Sequence, residues 1–79
     1  MEIKTHYTGG GITLAEVDIN AGQYAVVSTE ALECLAIYNK VEGEEPYMPE
    51  DMVGCYTEEA MDPTLKALYH EMVRALTNK

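Results

Sequence analysis

Seventy-nine residues with a formal net charge of −9 make one small domain with a thin core, since a chain of this size buries only about 60–65% of its unfolded surface. Fourteen acids against five Lys and Arg argue against an ordinary nucleic-acid binder, which needs cations facing phosphates, and equally against docking on an anionic membrane. No apolar run approaches the ~18 residues of a membrane span, no signal-peptide pattern opens the chain, and two cysteines make no disulfide framework, so the expected compartment is reducing and cytoplasmic.

Glu2–Tyr7 alternates with period two, placing Ile3, Thr5 and Tyr7 on one face and Glu2, Lys4 and His6 on the other, which predicts a strand. Gly9, Gly10 and Gly11 permit positive φ and a sharp reversal. Ile12–Ile19 is a second strand whose face Thr13, Ala15, Val17 and Ile19 is the expected core face. After a short turn at Asn20–Gly22, Gln23–Ser28 is a third strand, and the three form an antiparallel meander. Residues 29–40 are ambiguous. Glu30, Ala31, Leu32, Glu33, Leu35 and Ala36 are good helix formers behind a Ser28 or Thr29 cap, yet the alternation of Cys34, Ala36 and Tyr38 with Glu33, Leu35 and Ile37 suits a strand; helix is slightly favoured.

Val41–Asp51 is irregular, because Gly43, Pro46 and Pro49 interrupt any regular element. It carries Glu42, Glu44, Glu45, Glu50 and Asp51, no base, and Tyr47 and Met48 between the acids. Asp51–Thr57 reads as a short strand with a bulge expected near Gly54, and residues 57–60 as one helical turn containing Glu58 and Glu59. Asp62–Lys79 is a helix: Asp62 caps it, Pro63 suits its first turn, and Leu65, Leu68, Tyr69, Met72, Val73 and Leu76 fill an apolar arc of roughly 140°. Lys66, His70 and Arg74 form a basic strip along its border. The expected fold is therefore α+β, a mostly antiparallel sheet of three to five strands packed against a C-terminal amphipathic helix, with residues 1–79 as a single domain.

The charge is divided. Residues 1–62 hold thirteen acids and two lysines, a net of −11, while residues 63–79 hold Glu71 against Lys66, Arg74 and Lys79, a net of +2. The chemistry-bearing patterns are sparse. The glycine run lacks the helix and Lys-Ser/Thr pair of a phosphate loop. His6, Cys34, Cys55 and His70 are separated by 28, 21 and 15 residues, without the close pairs of a zinc site, and no base is placed to activate either thiol. The cysteines read as buried small hydrophobes. The acidic loop lacks the order of a calcium loop, and neither Glu44/Glu45 nor Glu58/Glu59 is marked as an acid–base pair. No catalytic residue, metal or cofactor is expected.

The run Glu33-Cys34-Leu35-Ala36-Ile37-Tyr38, the acidic gap, Tyr47-Met48-Pro49-Glu50-Asp51-Met52-Val53 and the Pro-started amphipathic helix together resemble the small α+β domains associated with large polyvalent proteins of phages and conjugative elements, over roughly residues 23–78. No catalytic residue comes with that resemblance. It implies a mobile-element accessory protein, one that shields incoming DNA from host defence. The expectation is a non-enzymatic acidic protein whose partner is a protein with a basic surface, met through Glu42, Glu44, Glu45, Tyr47, Met48, Glu50, Asp51, Glu58 and Glu59. Two alternatives stand beside it: a homodimeric structural or regulatory module, and a binder of a small anionic ligand or signalling nucleotide through Lys66, His70 and Arg74.

Overall fold

A computed structural model describes residues 2–77. Strands β1 (Lys4–Gly9), β2 (Ile12–Asn20), β3 (Gln23–Ser28), β4 (Ala31–Asn39) and β5 (Met52–Thr57) form one sheet in the order β1-β2-β3-β4-β5, every pair antiparallel. Helix α1 (Pro63–Thr77) follows, and single 3-10 turns occupy Pro49–Asp51 and Glu58–Ala60. The α+β class and the C-terminal helix are as the sequence predicts, with five strands in the sheet.

The turns follow local chemistry. Gly10 and Gly11 connect β1 to β2 with φ of 61° and 80°, the positive values a two-residue hairpin turn requires. The Asn20 side chain accepts the Gly22 N–H at 2.9 Å and shapes the next turn. At the start of α1, Asp62 Oδ1 accepts the Leu65 N–H at 2.7 Å, the expected cap.

Helix α1 lies over β2 and β3. Beneath it, the cross-strand pairs Ala15–Val27 and Val17–Ala25 each combine a small with a larger residue. These four residues and Leu35 are buried against Leu68, Tyr69, Met72 and Leu76 of the helix, with Met72 fully enclosed. The Tyr69 hydroxyl donates to the Leu32 carbonyl and ties the helix to β4. Leu65 and Val73 border this contact half-buried, and Ile19, expected in the core, is exposed. Asn78 and Lys79 lie outside the described residues.

The other face of the sheet has its own small core of Tyr24, Val26 and Tyr38, against which Leu14, Ala36 and Tyr47 pack. Two covered faces explain why the helix favoured over residues 29–40 does not form. As a strand, β4 places Leu35 and Ile37 toward α1 and Ala36 and Tyr38 on the opposite face, and it pairs with β3 and β5 at once. Burial on both sides outweighs local helix propensity worth only tenths of a kcal/mol per residue. The pairing is irregular near the start of β4: β3 advances two residues from Val26 to Ser28 while β4 advances five, from Ala36 to Ala31. The cysteines are also less enclosed than expected, Cys34 half-buried and Cys55 exposed.

Two substitutions probe this construction. A Cβ added at Gly54 would stand 2.8 Å from the Tyr56 hydroxyl oxygen and 3.0 Å from its ring, because that side chain lies across the glycine. Gly54→Ala is expected to destabilise by about 1–2 kcal/mol in urea denaturation, and by less when Tyr56→Thr has already removed the ring. Asp62→Ala is expected to cost about 1 kcal/mol by the same assay, through loss of the cap.

Candidate functional site

Residues 40–51 cross from β4 to β5 over the face that α1 leaves open. Their start is held by two contacts: the Lys40 N–H donates to the Gly22 carbonyl at 2.9 Å, and Lys40 Nζ pairs with Asp18 at 3.1 Å. Gly43 turns the chain at φ 82°. Tyr47 then pins it. Its backbone N–H donates to the Tyr24 hydroxyl at 2.9 Å, and its own hydroxyl donates to Glu16 Oε1 at 2.5 Å. Its ring stands edge-on to Tyr24 and Tyr38, 6.1 and 6.3 Å away, while those two stack at 5.5 Å. Tyr47 holds φ 66°, a left-handed conformation costing a non-glycine residue about 1–2 kcal/mol. The two hydrogen bonds and the aromatic contacts offset that cost.

Tyr47 is therefore the internal anchor of the acidic loop, not the exposed contact its sequence surroundings suggested, and Met48 is likewise half-buried. Pro49 opens the turn that follows, closed by hydrogen bonds from the Asp51 N–H to the Met48 carbonyl and from the Met52 N–H to the Pro49 carbonyl. With the loop pinned, Glu42, Glu44, Glu45 and Glu50 stand exposed and Asp51 half-buried. Glu44 meets Asp51 closely enough that hydrogen bonding with it, and then its charge, hold the Glu44 carboxyl above the usual range, with a smaller push from Glu50. Glu44, Glu45, Asp51 and Glu16 share a cleft of about 230 Å³ with Lys40, the one base lining it among the described residues. Glu16 and Asp18 are an addition to the surface foreseen from sequence. They occupy the weaker face of β2, and a sequence pattern places them on a face without saying that the loop returns to it.

Glu58 and Glu59 are not part of that cluster. They follow β5, whose six residues at about 3.3 Å each set them roughly 20 Å from Asp51. Of the basic strip, His70 Nε2 lies 2.7 Å from Glu58 and Arg74 lies 3.0 Å from Glu71, so these two face carboxylates, while Lys66 is half-buried.

The remaining reactive side chains are dispersed. Cys34 and Cys55 sit on adjacent strands and line one trough of the open face. Hydrogen bonding to Cys55 and then burial push the Cys34 thiol up to about 11, so it stays protonated at neutral pH and is a weak nucleophile. His6 lies on β1, 3.5 Å from Glu16, and His70 lies on α1. Among the described residues no three His, Cys, Asp or Glu side chains are grouped to hold a metal ion, and no helix is long and apolar enough to cross a membrane. No protein-family model, curated protein or solved structure matches the chain.

Tyr47 makes the site sensitive to base. Burial, then the hydrogen bond and charge of Glu16, hold its hydroxyl well above the ordinary tyrosine range, and burial also raises Tyr38. The unfolded chain ionises these groups near pH ~10 while the folded chain resists, so their contribution is fully present below that pH and is lost as pH rises through the folded values. Tyr47→Phe is expected to cost about 1–2 kcal/mol at neutral pH, to speed amide exchange across residues 40–51, and to lose less stability above pH ~10 than the parent does. Urea denaturation at neutral and alkaline pH measures both effects.

Proposed function

We propose that this protein is a non-enzymatic binding module that presents its acidic loop to a basic surface of a protein partner. In its specific form it is a mobile-element inhibitor of host defence, occupying the basic nucleic-acid channel of a nuclease or effector. The observation that carries the reading is the crowding of carboxylates on a pinned loop. Glu44, Glu45 and Asp51 share a cleft with Glu16, and the neighbouring Asp51 raises the Glu44 carboxyl above the usual range.

Like charges kept this close are unfavourable in the free protein and become favourable when a cationic surface meets them. The Tyr47 anchor means that little chain entropy is lost on binding, and the net charge of −9 steers a basic partner toward the complex. The resemblance to domains of phages and conjugative elements supplies the defence context.

The test is competition with labelled duplex DNA for a purified candidate effector nuclease, repeated across a salt series. Competition is expected to weaken steeply as salt rises, and to be lost in the variant Glu44→Gln/Glu45→Gln/Glu50→Gln/Asp51→Asn. Affinity indifferent to ionic strength, or unchanged in that variant, overturns the reading.

A further inference from the structure

The sheet has two edges, and they are unlike. Strand β1 carries Lys4 and His6, and its register breaks between Tyr7 and Gly9. Charges and bulges are the devices that keep an edge from recruiting another strand. Strand β5 is paired with β4 on one side and ends the sheet on the other. Its six residues, Met52 to Thr57, carry no charge, and Met52, Val53, Cys55 and Thr57 are exposed. The register irregularity lies at its start, between Met52 and Gly54, which leaves Gly54–Thr57 as a regular open edge. Acids stand at both ends of the strand: Glu50 and Asp51, with Glu44 against Asp51, before it, and Glu58 and Glu59 after it.

An uncharged edge bracketed by acids has a defined complement, an extended segment of about four to six uncharged strand-forming residues with Lys or Arg at both ends. We propose that β5 accepts such a segment of a partner protein as a sixth strand. Main-chain hydrogen bonds to the open edge supply affinity, and the terminal charges select the segment and set its register. This rests on the reading of the acidic surface as partner-binding, and it names the element that receives the partner and the part of the partner that it receives.

A second copy of the chain is a poor occupant. Antiparallel pairing of β5 with itself about Gly54, about Cys55 or between them brings Glu50 or Asp51 of one copy against Glu58 or Glu59 of the other. Like charges directly opposite are destabilising, and each copy already carries −9.

The probe is a fluorescent peptide with two lysines at each end of an alternating valine–threonine centre of about six residues. Its twin has the same charge and sequence but is N-methylated on alternate amides, which blocks strand pairing. The first peptide is expected to bind roughly tenfold or more tightly than the twin, and to slow amide exchange along Gly54–Thr57. Glu50→Gln/Asp51→Asn and Glu58→Gln/Glu59→Gln are each expected to weaken it several-fold. Equal binding of the two peptides, protection on β1 instead of β5, or a concentration-dependent dimer that protects β5 without peptide would each sink the proposal. If both peptides bind equally and both are lost when the acids are neutralised, the acidic surface still binds cations and only strand addition fails. If neither peptide binds and the effector competition also fails, both readings fall.

Discussion

A sheet has two faces, and within the described residues this chain supplies one α-helix to cover them. Helix α1 closes one face by burying Met72 in the same core as the alanine–valine pairs of β2 and β3. The other face is left to the chain's tyrosines. Tyr24 and Tyr38 stack on adjacent strands, and Tyr47 reaches back from the β4–β5 connection to close over them. Without Phe or Trp, this interaction lets an 8.8 kDa protein cover both sides of its sheet.

The same interaction determines where the negative charge goes. A free acidic loop would spread its carboxylates to reduce their repulsion. Because Tyr47 hydrogen-bonds to Tyr24 and Glu16, the loop is brought back against β2 and its acids are added to those of the strand. Glu44 and Asp51 then meet on the surface, where screening by water keeps the repulsion tolerable. Fold stability and surface electrostatics are thus linked through a single side chain. Burial of Tyr47 is what holds the loop acids against Glu16 of β2.

The β4–β5 connection also shapes the open edge. The turn at Pro49–Asp51 delivers the chain into β5 with Asp51 at its head, and the turn at Glu58–Ala60 carries it away with Glu58 at its foot. Glu58 meets His70 on the helix, so the lower acid pair is partly countered while the loop acids retain their field. The edge between them is neutral, and its Tyr56 lies over Gly54 and joins the margin of the main core.

Much of this was legible in the residues themselves. Period-two alternation placed β1 and β2; the run rich in Tyr24, Val26 and Val27 placed β3; the glycines located the first hairpin; and Asp62–Pro63 with the apolar arc located α1. Such signals are local, since hydrogen-bond geometry and side-chain direction repeat within a few residues. The loop acids were legible as a cluster for the same reason. What stayed ambiguous was the stretch over residues 29–40, where helix propensity and strand alternation nearly balance and the decision falls to neighbours that propensity cannot see. Tyr47 was misplaced for a related reason. In sequence it is an aromatic among acids, and only the return of the loop over β2 and β3 brings Tyr24, Tyr38 and Glu16 within reach.

Local patterns in the chain specify the element types at both of its ends, the α+β class, and an acidic middle bounded by a basic helix border. Packing of distant segments makes β4 a strand, joins the loop acids to Glu16 and apart from Glu58, and leaves β5 an open neutral edge. These are matters of long-range pairing and two-sided burial. Their energies exist only once distant segments meet, so no single stretch of the chain can carry them.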